Sequence, residues 1–301
     1  MTDASAINEA DLRALNALRR KNSIMRRLLR DPAAALALLF IVLVVLGAIL
    51  APLISPYDPY ANSMRLRLKA PGFVAPDGGL HILGTDAQGR DMLTRILYGL
   101  RTTLAIGALA VLAGGAIGVL IGALSAYYSR LDAVLMRLID VLLSFPSILF
   151  GLALAAVLGP NFVSLVVALS IAAIPAIARV SRGAATVVMQ QEYMEAGRAL
   201  GLGDGALIWR YLLLNCGSTV LIYATLQLGQ SILLGSVLSF LGLGVQPPVA
   251  ELGNMTADGR KFLTNFPHVA TIPAAAIFLI VLAFNILGDA LRDALDPKLR
   301  Q

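Results

Sequence analysis

Residues 192–205, EYMEAGRALGLGDG, form a polar stretch between two long apolar runs. The stretch places Glu192, Glu195 and Arg198 within seven residues, and four glycines follow between 197 and 205. A carboxylate such as that of Glu195 can form a charge-assisted pair with Arg or Lys of another protein. The stretch is therefore a candidate contact surface, with a solvated connecting loop as the alternative.

The sequence around this stretch predicts a helix–turn–helix. The good helix formers of QQEYMEAGRAL predict a first helix that ends at Gly201, where a glycine in the left-handed conformation would close it. Asp204 is placed to cap a second helix, GALIWRYLLLN. Small residues at Ala196 and Gly197 would let another molecule approach closely. We call residues 190–215 the knuckle.

A second polar stretch, GTDAQGRD at residues 84–91, combines Asp86, Arg90 and Asp91 with glycines. A carboxylate pair could serve acid–base chemistry, but nothing nearby in the sequence would raise the pKa of one of them. Two interpretations stay open. The three side chains form a gate or a contact for another protein, or they close a turn through a local salt bridge, which we favour.

The sequence lacks the residue sets needed for phosphate binding, nucleophilic catalysis or metal binding. The sequence has no G-x-x-x-x-G-K-[ST] loop to hold phosphates and no Ser/His/Asp or Cys/His set. Cys216 is the single cysteine, and His81 and His268 stand far apart, each expected at a surface or an interface. We predict no catalytic site, no metal site and no cofactor in this chain, so energy for uphill movement would come from a partner.

The composition indicates a membrane protein. Of the 301 residues, 58% are hydrophobic and 14% are charged, whereas soluble domains have about 25% charged residues. A helix that spans a bilayer needs about 20 apolar residues. Six segments qualify: 33–54, 102–126, 140–159, 160–178, 217–241 and 269–287. The sequence predicts an all-α protein with six transmembrane helices.

Basic residues predict the orientation of these spans. With the N-terminus in the cytoplasm, sixteen of the 24 Lys and Arg residues lie inside and eight lie outside. Both termini and the knuckle, between spans four and five, are then cytoplasmic. Leucines at helical spacing among arginines in residues 11–30 predict an amphipathic helix on membrane lipids, with a disordered basic tail as the alternative. The net charge of +6 is explained by these residues and not by nucleic-acid binding.

The predicted organisation has five parts, which are a basic cytoplasmic segment 1–32, a first span 33–54, an extracytoplasmic loop 55–97, a five-span domain 98–290 and a cytoplasmic tail 291–301. Asp140, at the edge of the third span, is expected to pair with Arg137, three residues earlier on the same helix.

Two groups of residues inside the spans have predicted roles. Gly114, Gly118 and Gly122 share one helix face, which predicts close approach of another helix. Gln227 and Gln230 are the most polar groups inside a span. They either line a translocation path or, as we favour, hydrogen-bond to another helix.

Several motifs resemble a known family. EYMEAGRALG followed by YLLLN resembles the EAA loop of the integral-membrane subunits of bacterial ABC importers. Glu195, Ala196 and Gly201 match that pattern, whereas Gly197 replaces its second alanine and Leu214 stands at its usual proline. Four further segments are similar to the second permease of dipeptide, oligopeptide and nickel importers: HILGTDAQGRDMLTRILYGLRTTL, RLIDVLLSFPSILFG, LSFLGLGVQPP and FNILGDALRDALDPKLRQ. The segment AELGNM lacks a tryptophan that this family often has.

The resemblance implies a type I ABC importer permease fold in the bacterial inner membrane, with a coupling helix between spans four and five. The coupling loop would consist of Glu192, Glu195, Ala196, Gly197, Arg198, Gly201 and Asp204. The implied partners are a second permease subunit, two cytoplasmic ATPases that hold ATP and Mg, and an extracytoplasmic binding protein, which Asp86, Arg90 and Asp91 would contact.

The resemblance also implies the cargo, which we expect to be di- or oligopeptides. Nickel chelates, glutathione and opines are alternatives within the same importer class. A secondary carrier or channel is disfavoured, because the sequence has no ionisable residue near a span centre and no filter motif.

Overall fold

The computed structural model describes residues 28–295, which are mostly helical. The helices of this range are, in chain order, α1 (Pro32–Ile49), α2 (Ala51–Ile54), α3 (Met92–Tyr127), α4 (Ser129–Leu143), α5 (Ser147–Leu158), α6 (Phe162–Met189), α7 (Glu192–Ala199), α8 (Asp204–Phe240), α9 (Leu252–Gly259) and α10 (His268–Leu295). Two short strands, β1 (Phe73–Val74) and β2 (Leu80–His81), pair antiparallel between α2 and α3. Short 3₁₀ turns lie at Met64–Leu66 and Arg260–Phe262.

Five of these helices are long and apolar enough to cross a membrane: α1, α3, α6, α8 and α10. The pair α4 and α5 would make a sixth span if it counts as one. This number agrees with the six predicted spans. The predicted amphipathic segment 11–30 lies almost wholly outside the described residues, as do residues 296–301 of the predicted tail.

The third predicted span, 140–159, is wrong as a single helix. The chain forms α4 and α5, which meet at an angle of 88°. α4 ends before Ser144, and Pro146 stands immediately before α5. Proline disfavours the helical conformation of the residue before it and has no N–H to continue the hydrogen-bond ladder. The sequence Ser-Phe-Pro therefore produces the bend.

Two helices extend well beyond the predicted spans 102–126 and 217–241. α3 begins at Met92 because the Asp91 carboxylate accepts a hydrogen bond from the Thr94 N–H, at 2.8 Å, and caps the helix. α8 begins at Asp204 and includes a π-helical stretch, Leu207–Leu212. The second knuckle helix and the fifth span are thus one helix. Leu214, at the family's proline position, lets that helix continue.

α3 and α6 pack closely along the glycines of α3. A Cβ atom on Gly114 would lie 2.4 Å from the Ser170 carbonyl oxygen, and one on Gly122 would lie 2.5 Å from that of Ala178. Gly118 is similarly close to α6. Both distances are below van der Waals contact, so no larger residue fits. The predicted close approach of a second helix is confirmed.

Buried apolar side chains form three clusters along the helices. One cluster lies near the start of α3 and joins α1, α8, α9 and α10, and a second joins the middle of α3 to α5, α6 and α8. The third lies at the end of α3 and joins α6, α7 and α8, with Met194, Leu207 and Leu212 almost fully buried. The knuckle therefore packs on the same helices that form the spans.

Candidate functional site

The knuckle turn closes as a Schellman motif. Gly201 has φ of +76°, the left-handed conformation that favours glycine. Its N–H donates to the Arg198 carbonyl at 3.0 Å, and the Leu202 N–H donates to the Gly197 carbonyl at 3.1 Å. These are the two hydrogen bonds that define the motif. The prediction that Gly201 closes the first knuckle helix in this conformation is confirmed.

α7 has one buried side and one exposed side. Met194 and Gly197 are buried, and a Cβ atom on Gly197 would lie 2.9 Å from Leu207 Cδ2. The small residue at 197 thus allows close packing within this chain. The exposed side is formed by residues at helical spacing: Glu192, Glu195, Ala196 and Ala199, followed by Leu200, which is 82% exposed.

Asp204 is not the predicted helix cap. It is the first residue of α8, and Gly203 occupies the cap position without a side-chain hydrogen bond. The Asp204 carboxylate instead accepts hydrogen bonds from the hydroxyls of Tyr127, at 2.7 Å, and Tyr128, at 2.9 Å. The Arg198 guanidinium lies over the Tyr127 ring, 5.6 Å from its centre. Two of the predicted coupling residues therefore contact tyrosines of their own chain.

Two ion pairs hold α4 to α6 near the knuckle. Arg182 donates to both carboxylate oxygens of Asp132, from Nε at 2.6 Å and from Nη2 at 2.5 Å. Asp140 pairs with Arg179 of α6. The predicted partner Arg137 is therefore wrong, because α6 packs beside α4 and presents a guanidinium to Asp140.

Gln227 and Gln230 line a cavity of about 400 Å³, which we call the glutamine cavity. Its walls come from α8, from α6 and from both sides of the α4–α5 bend, at Leu143 and Ser147. All of its lining residues are uncharged. Within residues 28–295 neither glutamine side chain has a hydrogen-bond partner on another helix. The hydrogen bond to another helix that we favour for the two glutamines is therefore not formed within these residues.

The stretch 84–91 lies at the start of α3, at the opposite end of that helix from the knuckle. Asp86, Arg90 and Asp91 are all buried, at 6%, 7% and 3% exposure. Arg90 Nε donates to Asp86 Oδ2 at 2.6 Å, and Arg95 Nε lies 3.4 Å from the same oxygen. Asp86 and Arg90 thus close the turn with a local salt bridge, as the structural interpretation describes.

Asp91 has different partners from Asp86 and Arg90. One of its oxygens lies 2.9 Å from His81 Nδ1, and the other caps α3. The His81 ring is stacked on Tyr57, with 4.7 Å between ring centres. His81 is 3% exposed, so its expected place at a surface or an interface is wrong. The strand pair β1–β2 brings His81 to Asp91.

Sequence reasoning missed Glu251, which is 1% exposed beside the same end of α3. Its carboxylate accepts hydrogen bonds from the Thr103 hydroxyl, at 3.1 Å, and from the N–H groups of Gly253 and Asn254, at 2.9 and 2.8 Å. It therefore caps α9 and ties that helix to α3. Burial raises the pKa of Glu251, although these hydrogen bonds oppose the change. The sequence signal for this helix cap was an acid followed by Leu-Gly-Asn.

The comparisons with known proteins agree on one family. The family described as "binding-protein-dependent transport system inner membrane component" matches residues 114–301. The "N-terminal TM domain of oligopeptide transport permease C" matches residues 22–71. Together the two matches cover most of the chain.

Relatives and solved structures extend this result. The chain is 43% identical over 278 residues to a glutathione transport system permease protein of Pectobacterium atrosepticum, covering 91% of this chain and 90% of that protein. It is 39% identical over 275 residues to a putative peptide transport system permease protein of Brucella abortus, covering 91% of each. The inward-facing MetNI methionine ABC transporter shares the fold, with a TM-score of 0.57 at 19% identity over 68% of this chain and 98% of the matched one.

The family matches and relatives decide the class of the protein. It is a multi-span membrane permease and not a catalytic enzyme, and its class works with ATPase and substrate-binding partners. The chain belongs to the binding-protein-dependent transport system inner membrane components, as an ABC importer permease of the dipeptide and oligopeptide group.

Proposed function

We propose that this chain is the permease subunit through which small peptides, glutathione among them, cross the bacterial inner membrane. Both termini and the knuckle lie in the cytoplasm. The chain pairs with a second homologous permease, two ATPase subunits that bind ATP and Mg, and an extracytoplasmic substrate-binding protein. The observation that carries this proposal is the exposed acidic side of α7 at the tip of the knuckle.

The exposed side of α7 suits docking on an ATPase subunit. Glu192 and Glu195 stand in its first turn, and Ala196 leaves space beside them. Leu200 adds an apolar side chain that is 82% exposed. A docking groove with a basic residue and an apolar wall would complement this surface. The docking surface is supported by four further coupling residues, each of which has a role inside the chain. They are Gly197 and Gly201, which shape the knuckle, and Arg198 and Asp204, which contact Tyr127 and Tyr128.

The glutamine cavity suits a peptide as cargo. The amides of Gln227 and Gln230 can both donate to and accept from peptide groups, while the other lining residues are small or apolar. An uncharged wall binds no charged side chain strongly and so tolerates peptides of different sequence. The names of the relatives, glutathione and peptide permeases, support the same cargo class.

Charge reversal at α7 tests the docking. We expect Glu195→Lys to reduce ATP-driven uptake by proteoliposomes of the complete transporter at least about tenfold, which corresponds to about 1.4 kcal/mol of coupling. The control is Asp289→Lys, which reverses an exposed acid of α10 outside the knuckle. Equal uptake by Glu195→Lys and the control would refute the docking assignment.

The cargo is tested by competition in the same proteoliposomes. Uptake of a labelled dipeptide is measured against unlabelled tripeptide, glutathione, a nickel chelate and an opine, each with the cognate binding protein present. We expect only the peptides and glutathione to compete. Competition by the nickel chelate or the opine alone would replace the proposed cargo with that compound.

A further inference from the structure

The corner where α3 meets α4 consists of Tyr127, the last residue of α3, and Tyr128, which links the two helices. Their hydroxyls reach the two different oxygens of the Asp204 carboxylate. Their rings pack edge to face, 4.8 Å apart. Arg198, at the other arm of the knuckle, lies over the Tyr127 ring. We call Tyr127, Tyr128 and Asp204 the tyrosine clasp.

The clasp and the contact of Arg198 with Tyr127 together fasten both arms of the knuckle to the corner between α3 and α4. Arg198 belongs to α7 and Asp204 to α8, and each contacts the same corner. A contact needed only to end α7 would not involve the corner between α3 and α4, since the Schellman hydrogen bonds already close α7. The clasp is therefore additional to what the local fold of the knuckle requires.

α4 is also fastened to α6, the helix that leads into the knuckle. Asp132, in the first turn of α4, has the bidentate pair with Arg182, and Asp140, near its end, pairs with Arg179. Bidentate guanidinium–carboxylate pairs fix orientation as well as distance. The knuckle, the adjoining part of α6 and the whole of α4 are thus joined at three places.

α4 leads from the clasp to the wall of the glutamine cavity. Its last residue, Leu143, lines that cavity, and so does Ser147 on the far side of the bend. A displacement of the knuckle would therefore move this wall, provided that the clasp holds.

We propose that Tyr127 and Tyr128 are positioning residues that transmit the motion of the knuckle to α4 and hence to the glutamine cavity. This proposal rests on the proposed function, because it assumes that an ATPase moves the knuckle. The two hydroxyls would make the knuckle and α4 move as one rigid body. Loss of the hydroxyls would leave docking intact and would break the transmission.

The test is the double variant Tyr127→Phe with Tyr128→Phe in the complete transporter, reconstituted in liposomes. ATP hydrolysis and uptake are measured in the same vesicles. We expect uptake per ATP hydrolysed to fall at least about fivefold, because the carboxylate loses two charge-assisted hydrogen bonds. The ATPase subunits should still co-purify in normal amounts.

Tyr211→Phe is the matched control. Tyr211 lies half-buried beside the third apolar cluster, at the end of α3, and its hydroxyl has no hydrogen-bond partner within residues 28–295. An unchanged ratio of uptake to ATP hydrolysis in the double variant would overturn the proposal. So would a parallel loss of uptake and hydrolysis with reduced co-purification, since that result indicates a purely structural contact.

A distance measurement tests the rigid body directly. Spin labels on exposed Arg210 of α8, which belongs to the knuckle but not to the docking surface, and on exposed Val134 of α4 report the separation of the two helices in nucleotide-free and ATP-trapped transporter, with partner subunits free of accessible cysteine. The native Cys216 is buried and leaves these sites free for labelling. We expect the same distance in both states of the wild type and different distances in the double variant. A wild-type distance that changes between the states would refute the proposal.

Failure of the proposed function has a different signature. In that case the unmodified assembly would show no ATP-driven uptake. If the clasp proposal alone is wrong, the unmodified assembly imports cargo and the double variant does so at the same ratio.

Discussion

The knuckle and the stretch 84–91 have similar compositions and opposite exposures. Residues 192–201 of the knuckle and residues 84–91 each carry two acids, one arginine and two glycines, and the two regions lie at opposite ends of α3. In the knuckle, Glu192 and Glu195 are exposed. In the stretch 84–91, the Asp86–Arg90 pair is buried and sealed by the backbone of the preceding loop.

This difference separates a surface for another molecule from an internal brace. We use the name brace for the buried ionic group of Asp86, Arg90 and Arg95. A buried carboxylate that already has its partners has no capacity left for a second protein, and removing one partner leaves an uncompensated charge. An exposed carboxylate that forms no ion pair or hydrogen bond within its own chain contributes little to the stability of that chain. The knuckle is therefore the region where mutations should affect coupling, and the brace is the region where they should affect folding.

The largest expected effect comes from removing the brace. Asp86→Ala removes the carboxylate that faces Arg90 and Arg95 and leaves their charges buried without it. Breaking a buried ion pair costs about 3–5 kcal/mol. We expect loss of the folded monomer from detergent extracts, measured by size-exclusion chromatography and thermal unfolding.

Glu192→Ala provides the matched change in the knuckle. It removes an exposed carboxylate, and surface substitutions usually change the free energy of unfolding by no more than about 0.5 kcal/mol. If Glu192→Ala destabilised the protein as much as Asp86→Ala, the distinction between surface and brace would fail.

A glycine pair gives a second, smaller contrast. A Cβ atom on Gly253 of α9 would lie 2.5 Å from the Ser236 carbonyl oxygen, whereas one on Gly203 in the knuckle would meet no atom within 4 Å. Forcing extra volume between backbones costs about 1–3 kcal/mol. We expect Gly253→Ala to lower the unfolding temperature much more than Gly203→Ala does, since Gly203 has φ of −67°, which alanine also adopts, and only its place at the helix cap disfavours alanine.

Thermal unfolding of both variants in one detergent checks this contrast. Equal unfolding temperatures would mean that α9 does not pack on Ser236 as described, and that the two ends of the molecule are equally tolerant of added volume.

Local chemistry explains what the sequence could predict. Apolar runs placed the spans, glycines at every fourth position identified the face that packs on α6, and Gly201 marked the end of α7. In each case the determining interaction lies within a few residues or follows from one periodic pattern. The bend at Pro146 also had a local cause, which the apolar content of 140–159 concealed.

Contacts between distant segments explain what the sequence could not predict. Asp204 is 76 residues from Tyr128 and Glu251 is 148 from Thr103, so no local pattern indicates either contact. Asp204 satisfied the composition rule for a helix cap, yet the tyrosine hydroxyls provide its hydrogen bonds. The sequence also could not predict which polar stretch is exposed to solvent. GTDAQGRD and EYMEAGRALG have similar compositions, and only the first is covered, by α9 and the preceding loop.

The smallest effect concerns the pH dependence of stability that comes from Glu251, the buried residue that caps α9. Burial raises the pKa of Glu251 above its ordinary value of 4.5, so at pH values between the ordinary and the raised pKa the folded protein binds this proton more fully than the unfolded chain does. The stability from this group is fully present below the ordinary pKa and is lost as pH rises through the raised one, with a slope of at most about 1.4 kcal/mol per pH unit. We expect thermal unfolding of Glu251→Gln to lack this slope.

Asp258 on α9 has a pKa raised by burial in the same direction, and Asp258→Asn therefore serves as the parallel variant. Each single variant should remove part of the wild-type slope, and the double variant should remove both parts. A full wild-type slope in the Glu251→Gln variant would mean that Glu251 is solvated, and the contrast between a buried brace and an exposed docking surface would then not extend to α9.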